Sequence, residues 1–376
     1  MDPAGRTNWI CNRARELGFE LCGIVTVDHP HGLDELAHLP EWLDRGYAGE
    51  MQYLYDPRRS DPSLAMPGAR SFIVVALNYN SPHPYSTDVL PLANSGDDLP
   101  RGWISRYAWG DDYHQVLWEK LNALTASMHA EWPEPFEARA YADTGPILER
   151  VAAKHAGLGW LAKNTCFINE DLGSWLFLGT IVTTLKLEPS VAPAELPAAD
   201  LCGNCTLCLD ACPTQAFPAP YVLDARKCIS YLTIELRGSI PEALRPQMGR
   251  AVIGCDICQD VCPWNRKSAT TSLPAFQPRS VSATIASDTE SSLFAPELEW
   301  IASLTQEDFS RIFRGSAIKR AKWRGIVRNA CVALGNSQLD RKSKSYPRVI
   351  SLLQQLSASP EPLIAEHANW ALDRLQ

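Results

Sequence analysis

Two runs of cysteine dominate the chemistry that this chain of 376 residues could perform. Eight of its twelve cysteines stand in one stretch of the sequence, at positions Cys202, Cys205, Cys208, Cys212, Cys228, Cys255, Cys258 and Cys262. The first run has the spacing C-x2-C-x2-C-x3-C followed by Pro213, a pattern typical of segments that bind [4Fe–4S] clusters. The second run ends on Pro263 but lacks the first cysteine of that series, and Cys228 is the natural replacement.

The same pattern predicts how the thiolates are shared, because the fourth cysteine of each run ligates the other cluster. The first cluster would be held by Cys202, Cys205, Cys208 and Cys262. The second cluster would be held by Cys212, Cys228, Cys255 and Cys258. Each [4Fe–4S] cube needs four thiolates, so the eight cysteines fill two clusters with none left over.

Structural zinc is the main alternative for these cysteines, since two C-x2-C pairs could also bind zinc. Zinc pairs usually stand alone, without a third cysteine and without a Cys-Pro end, and this favours iron–sulfur clusters. A disulfide framework is disfavoured because the chain is long and shows no sign of secretion.

Composition sets the broad class of the protein. The length predicts about two to three domains, and an apolar content of 45% is enough for a sizeable core. No stretch of about 18 apolar residues exists, so no membrane span is expected. Residues 1–15 are polar and contain no apolar signal-peptide core, which favours a cytoplasmic protein. Nothing indicates an obligate dimer, so a monomer is expected.

Hydrophobic periodicity predicts an α+β fold. Helices are expected at residues 8–18, 113–130 and 147–156, and strands at residues 21–27, 71–79, 138–142 and 176–187. Loops are expected at residues 81–100, 189–197 and 270–292, which are rich in Pro, Ser, Thr or Asn. These breaks predict a sheet-based domain at 1–190, a ferredoxin-like two-cluster domain at 191–270 and a helical region at 290–376.

The C-terminal region combines helices with positive charge. Helices are expected at residues 323–334, 346–356 and 363–375, and the likeness of the segments at 328–335 and 366–372 suggests a HEAT-like repeat. Eleven basic residues and a single acidic one, Asp340, stand between residues 309 and 360, although the whole chain has a net charge of −8. A solvated helix face would explain mixed charge, but seven cations without an anion from Arg311 to Arg328 favour a nucleic-acid partner.

A second set of candidate residues lies around Asp143, where the predicted strand at 138–142 ends. Helix capping is the simple interpretation, since Asp143 or Thr144 could accept the first N–H groups of the next helix. The functional interpretation is that a carboxyl group at the edge of a sheet delivers a proton to a bound substrate. Gly157 and Gly159 follow, where a tight turn or a close approach of a ligand is possible.

These motifs resemble those of the epoxyqueuosine reductase family. The resemblance rests on Asp143-Thr-Gly-Pro-x3-Arg, Ala156-Gly-Leu-Gly-Trp-x-x-Lys-Asn, Arg106-Tyr-Ala-Trp-Gly-x-Asp-Tyr-His and the two cysteine runs, in the family's order. It covers residues 8–265 strongly and the C-terminal helices loosely. It implies reduction of epoxyqueuosine to queuosine at the tRNA wobble position, with a cobalamin in addition to the clusters. It also implies that the C-terminal helical repeats help to hold the anticodon stem-loop.

The resemblance implies roles for individual residues. The general acid of the family falls on Asp143, with a pKa that we expect to be raised by a partly apolar pocket. Contacts to cobalamin would come from Asp143 itself and from Arg59, Ser105, Asn164, Phe167 and Leu178. Contacts to tRNA are expected from Lys319, Arg320, Lys322 and Arg324. The sequence Asp112-Tyr-His114-x-x-Leu lacks the glycine of the D-x-H-x-x-G pattern that supplies a histidine to cobalt, so helix capping by Asp112 is expected.

Two other classes of protein remain as alternatives. A dicluster ferredoxin that only transfers electrons would not need the front domain or the basic helices. A cobalamin-dependent reductive dehalogenase would usually carry a twin-arginine export signal, which is absent here. The cysteine spacing disfavours a radical-SAM enzyme. The presence of two clusters disfavours a protein that only binds tRNA. The external electron donor is expected to be of the ferredoxin or flavodoxin class.

Overall fold

The computed structural model describes residues 1–27, 34–89, 99–191, 199–284 and 287–376. The strands in these ranges are β1 (Leu21–Thr26), β2 (Ser71–Asn78), β3 (Trp103–Ile104), β4 (Ala138–Tyr141), β5 (Trp160–Leu161), β6 (Phe167–Ile168), β7 (Leu176–Thr183), β8 (Ala251–Ile253), β9 (Ser280–Thr284) and β10 (Ser287–Ser292). The fold therefore mixes helix and sheet, as predicted.

Helices are distributed along the whole of the described chain. They are α1 (Pro3–Glu16), α2 (His38–Asp44), α3 (Ser86–Val89), α4 (Tyr113–Glu131), α5 (Glu149–His155), α6 (Leu207–Asp210), α7 (Ile229–Ile234), α8 (Ile257–Asp260), α9 (Leu298–Ser303), α10 (Gln306–Ile312), α11 (Lys322–Gly335), α12 (Tyr346–Ser357) and α13 (Pro362–Leu375). Among the described residues, none of these helices is long and apolar enough to cross a membrane.

The N-terminal half is built on a four-stranded sheet in the order β1-β2-β7-β4, with antiparallel pairing throughout. Every residue of β2 is buried, because apolar layers cover both faces of the sheet. Helices α1 and α4 pack on one face, and α4 buries Leu117, Leu121, Leu124 and Met128 at helical spacing. Helix α5 packs on the other face. Strand β4 is an edge strand, so the residues that follow it lie at the border of the sheet.

Most of the predicted elements are confirmed to within a few residues, but two predicted loops are wrong in part. The predicted loop at 81–100 contains the short helix α3, and the predicted loop at 270–292 contains two strands. Residues 280–284 and 287–292 pair as the antiparallel strands β9 and β10. Their sequence is almost entirely polar, so the hydrophobic alternation that indicates a strand is missing there. The predicted loops at 81–100 and 189–197 fall partly on residues 90–98 and 192–198, which lie outside the described residues.

A buried carboxylate attaches the cysteine segment to the sheet domain. Asp256 stands between two cysteines and is 1% exposed. It accepts hydrogen bonds from Trp103 Nε1 (2.9 Å), from the backbone N–H of Arg106 (2.8 Å) and from Ser105 Oγ. The parallel pairing of β3 with β8 lies directly beside it. This joint fixes the second cysteine run relative to the N-terminal half.

The C-terminal helices share one apolar core with this joint. Trp103, Trp109 and Val252 pack in the same buried cluster as the apolar residues of α9, α11, α12 and α13. Every residue of α11 from Gly325 to Gly335 is buried, as expected of a central helix surrounded by other elements. The proposed division of the chain into segments 1–190, 191–270 and 290–376 stays a prediction.

One cation of the basic segment belongs to this core. Arg328 is 0% exposed and its guanidinium donates to the backbone oxygens of Leu232 (2.6 Å), Leu236 (2.9 Å) and Gly238 (2.7 Å). It also donates to the side chain of Asn329. The interpretation of all seven cations from Arg311 to Arg328 as a polyanion surface is therefore wrong for Arg328, because its charge is used inside the protein.

We expect Arg328→Ala to lower the free energy of unfolding by about 3 kcal/mol or more, because three buried carbonyl groups lose their donor. Lys322→Ala removes an exposed cation from the same helix and should leave stability within about 0.5 kcal/mol of the native protein. Thermal and denaturant unfolding of the two variants measures the difference. Equal stability of both variants would contradict a structural role for Arg328.

Candidate active site

The four cysteines assigned to the first cluster line a single cavity of about 240 Å³. They are Cys202, Cys205 and Cys208 from the loop before and within α6, and Cys262 from the end of α8. Lys163 Nζ donates to the backbone oxygens of two residues in this loop, Gly203 (2.5 Å) and Cys205 (3.0 Å). Thiols arranged around a cavity fit a cubane, whose four corners are bound from different sides.

The cysteines assigned to the second cluster also lie near one another. Burial raises the pKa of the Cys255 thiol well above its ordinary value, and the charges of Cys228 and Cys212 raise it further. The pKa of Cys258 is raised as well, first by a hydrogen bond with Cys166 and then by burial and neighbouring thiols. Buried thiols of this kind become thiolates only when a cationic group such as iron compensates for the lost hydration.

The arrangement of these cysteines differs from a site that binds a single metal ion. Across the described ranges, no three His, Cys, Asp or Glu side chains are grouped closely enough to hold one metal ion. Cys331 is buried, whereas Cys11 and Cys22 are half-buried. Cys166, which the sequence did not assign to the clusters, lies in hydrogen-bond contact with Cys258.

Asp143 follows the edge strand β4 in a left-handed conformation (φ +56°). It does not cap α5, because that helix begins six residues later at Glu149, and Leu148 occupies the capping position without a side-chain hydrogen bond. The Asp143 side chain is 64% exposed to water. The capping interpretation is therefore wrong for Asp143.

The start of α4 surrounds the Asp143 carboxylate. Tyr113 Oη donates to Asp143 Oδ2 over 2.6 Å, and His114 Nε2 lies 3.4 Å from the same oxygen. On its other side, His114 Nδ1 lies 2.7 Å from Asp112 Oδ1. Asp112 also accepts the backbone N–H of His114 and so caps α4, as predicted.

These contacts set the protonation states of Asp143 and His114, and the sequence did not predict them. Burial raises the pKa of the Asp143 carboxyl, but hydrogen bonds from His114 and Tyr113 and the charge of Arg150 lower it below its ordinary value. The expectation of a raised pKa for Asp143 is therefore wrong in this conformation. Burial lowers the pKa of His114, but its bonds to Asp112 and Asp143 raise it to about 9. At neutral pH the proton resides on the imidazole.

Glu149, at the start of α5, is a second protonated group near Asp143. Burial and the charge of Asp143 raise the pKa of the Glu149 carboxyl to about 8. Its Oε1 is shielded from water and has no hydrogen-bond partner among the described residues. Glu149 stands inside the Asp143-Thr-Gly-Pro-x3-Arg motif, which was the only sequence signal for it. For Tyr113 and His114, nothing in the sequence links the start of α4 to position 143.

The predicted cobalamin contacts fall into two groups. Phe167 and Leu178 belong to the apolar layer on the α5 face of the sheet, and Arg59 is close enough for its charge to act on Glu149. Ser105 and Asn164 instead contact the second cysteine run: Ser105 binds Asp256, and Asn164 Nδ2 donates to the backbone oxygen of Cys258 (3.1 Å). The two groups therefore connect the Asp143 side of the sheet with the second set of thiols.

The four residues predicted to contact tRNA differ in whether their side chains form ion pairs within the protein. Arg320 binds Glu235 through two hydrogen bonds of 2.8 Å and stacks over the exposed ring of Tyr53 at 5.5 Å. Its pKa is raised first by Glu235 and also by the charge of Asp143, so Arg320 lies near enough to Asp143 for their charges to interact. Arg324 lies 3.4 Å from Glu361. Lys319 and Lys322 are exposed and form no ion pair with any described residue.

Family models match two parts of the chain. One, described as "4Fe-4S double cluster binding domain", matches residues 201–265, which contain all eight cysteines. The other, described as "Epoxyqueuosine reductase QueG, DUF1730", matches residues 59–144. The first match confirms the prediction of a two-cluster segment against structural zinc.

Known proteins resemble the chain over nearly its full length. It is 40% identical over 99% of its residues to an epoxyqueuosine reductase of Pseudomonas aeruginosa, of which it covers 95%. It superposes with a TM-score of 0.82 on an epoxyqueuosine reductase crystallised with an epoxyqueuosine-modified tRNA-Tyr stem loop, at 29% identity and covering 99% of this chain and 90% of that one. A structure from Bacillus subtilis, whose catalytic aspartate loop is swung out of the active site, gives 0.79 at 29% identity, with the same two coverages.

We expect Cys262→Ala to lose the first cluster and keep the second, because Cys262 completes the thiol set around the cavity. Iron should fall from about eight to about four atoms per chain after anaerobic reconstitution. Cys331→Ala removes a buried cysteine outside both sets and should retain about eight irons. Iron analysis with electron paramagnetic resonance measures this, and full iron content in the Cys262 variant would refute its role.

Proposed function

This chain belongs to the epoxyqueuosine reductase family, and we propose that it reduces epoxyqueuosine to queuosine at the wobble position of tRNA. This oxidoreductase reaction is the last step of queuosine biosynthesis. The observation that carries the proposal is the position of Asp143, exposed to water and held beside Tyr113 and His114, in a chain that also carries a two-cluster segment. The partner is the anticodon stem-loop of a tRNA.

The chemistry defines what the site must supply. Removing the epoxide oxygen breaks two C–O bonds, forms a C=C bond and releases water, so it consumes two electrons and two protons. When bound, the two clusters and the cobalamin supply the electrons, which originate from an external donor of the ferredoxin or flavodoxin class. The residues of this chain hold the clusters and the cobalamin, keep other groups away from them and move the protons.

The side chains near Asp143 fit a large group that carries amides, such as a corrin. Phe167 and Leu178 offer an apolar surface, and Arg59 is buried at 6% exposure with Nε bound to the backbone oxygen of Tyr53. Glu149 Oε1 is buried and unpartnered, and an amide of a bound group would satisfy it. Ser105 and Asn164 would border the same group from the side of the second cysteine run.

Asp143 would act as the group that hands a proton to the departing oxygen. Its exposure leaves one side of the carboxylate open to a substrate, while Tyr113 and His114 hold the other side. The left-handed backbone at Asp143 is strained for a residue with a side chain. Such strain is consistent with a loop that changes conformation when a substrate binds.

An exposed surface of mixed aromatic and basic character would receive the RNA. Tyr53 is 46% exposed, and the guanidinium groups of Arg59 and Arg320 lie over its ring at 5.6 and 5.5 Å. Lys319 and Lys322 extend this surface with free cations. Nucleic-acid binders commonly combine cations for the phosphates with aromatic rings for the bases. We propose that helices α11–α13 form a HEAT-like repeat that supports this surface. We also propose that the protein is a monomer.

The proposed reaction is tested directly with holoprotein reconstituted anaerobically with iron, sulfide and cobalamin. A chemical reductant and a stem loop that contains epoxyqueuosine should give queuosine, detected by mass spectrometry of the nucleosides. Asp143→Asn should retain both cofactors and the fold but lower the rate about 100-fold or more, because the amide carries no transferable proton. Asp171→Asn, which changes an exposed turn residue, should behave as native protein. Near-native turnover by Asp143→Asn would remove Asp143 from the role.

The RNA surface is tested by Lys319→Ala combined with Lys322→Ala. Each lost phosphate contact should weaken stem-loop binding and reduce the slope of log K against log salt by about 0.7 to 0.9. Arg13→Ala combined with Arg15→Ala removes the same charge from α1, which contacts β1 and α4, and should leave the slope unchanged. Fluorescence anisotropy at several salt concentrations measures both, and identical slopes for the two variants would exclude this surface.

A further inference from the structure

His114 is held between two carboxylates in a fixed orientation. Asp112 accepts from the backbone N–H of His114 (3.1 Å), and the same oxygen lies 2.7 Å from His114 Nδ1, so rotation of the imidazole would break its bond to the capping carboxylate. Its ring is stacked at 4.0 Å on Tyr113, which in turn is stacked at 4.4 Å on Phe177. The opposite nitrogen, Nε2, is buried, makes no hydrogen bond to a described residue and lies 3.4 Å from Asp143 Oδ2.

Asp143 cannot begin the proposed reaction as an acid in this state. Its carboxyl is ionised at neutral pH because its pKa lies below the ordinary value, whereas the departing oxygen needs a proton. His114 Nε2, 3.4 Å from Asp143 Oδ2, is a protonated nitrogen beside this carboxylate. Tyr113 also contacts Asp143, but burial raises the pKa of its phenol well above the ordinary value, so Tyr113 donates a hydrogen bond and keeps its proton.

We propose that Asp112 and His114 form a proton relay that loads Asp143 during reduction of the epoxide. The His114 Nε2–H bond breaks as an Asp143 Oδ2–H bond forms, and Asp143 then passes this proton to the departing oxygen. His114 recovers a proton from water, so the relay transfers protons only and no electrons. The proposal rests on the proposed function for its substrate, and on the geometry of α4 for the relay itself.

Other charged groups face the relay from neighbouring elements. Around Asp143 these are Arg150 and Glu149 at the start of α5, Arg320 from the C-terminal region, and the phenols of Tyr53 and Tyr107. Arg150 stabilises the carboxylate. Glu149 stays neutral below a pH of about 8. The two anions in contact with His114 are Asp112 and Asp143, and both favour the imidazolium.

Turnover is the first test, with pre-reduced holoenzyme and an epoxyqueuosine-containing stem loop in single-turnover reactions from pH 6 to 10. The native rate should persist until the pH passes about 9, where His114 loses its proton. His114→Gln should lower the rate at pH 7 about 100-fold, and its rate should fall from a lower pH, because Asp143 then takes its proton from water. Added imidazole should partly restore the rate of His114→Ala.

Two matched variants separate the relay from a structural effect. His129→Gln changes an exposed histidine near the other end of α4 and should keep the native rate and pH profile. Asp112→Asn retains a side chain that caps helices well but removes the charge that favours the imidazolium, so the alkaline limit should move to lower pH. A native rate and profile in His114→Gln would overturn the relay.

A second measurement does not depend on the substrate. Nuclear magnetic resonance of protein with ¹³C-labelled histidine, assigned with His114→Gln, should show His114 titrating near pH 9 in native protein and at lower pH in Asp143→Asn. Titration near its ordinary pKa, or no response to Asp143→Asn, would overturn the relay even if the enzyme reduces epoxyqueuosine. The expected titration together with an inactive native enzyme would instead contradict the proposed function and leave the coupling of the two residues intact.

Discussion

The buried carboxylate of Asp256 is the interaction on which the rest of the structure depends. It is almost fully removed from water, and burial raises its pKa, so its three donors from residues 103–106 are needed to keep the site stable. Because Asp256 stands between Cys255 and Cys258, the same bonds position the second set of thiols against the sheet domain. A displacement of Asp256 would also move the thiols of Cys255 and Cys258, strand β8 and Ser105, which is a predicted cofactor contact.

Buried polar side chains connect the region around Asp256 and β8 to the C-terminal helices. Asn329 of α11 donates to the backbone oxygens of Thr233 and Val252, each at 2.8 Å, and so satisfies carbonyls next to β8. Arg328 satisfies the carbonyls that follow α7. A buried polar group is tolerated only when it is fully hydrogen-bonded, which makes these contacts specific for one arrangement of the helices. These contacts hold α11 against α7 and β8.

The active site combines an exposed carboxylate with a protonated base, and this division follows from the surroundings of each group. Two neighbours that donate hydrogen bonds stabilise the Asp143 anion, while two carboxylates stabilise the His114 cation. The protonated nitrogen of His114 thus lies one side chain away from the exposed carboxylate, in a position shielded from water. Glu149 holds another proton nearby for a different reason, since burial beside an anion opposes its ionisation. The overall reaction requires two protons, and both of these groups hold one at neutral pH.

The sequence by itself determined the two-cluster segment, the main helices and strands, and the family. These features follow from local spacing: cysteines that wrap a cube must lie a few residues apart, and periodic apolar residues define one face of an element. Only the tertiary structure decided the protonation of Asp143, because His114 and Tyr113 reach it from a distant helix. The same holds for the charge of the C-terminal segment, where Arg328 is buried and Arg320 and Arg324 pair with acids far away in the sequence. Lys319 and Lys322 form no ion pair within the part of the chain that the structure describes. Charge counts describe composition, whereas ionisation and availability depend on which groups the fold brings within a few ångströms.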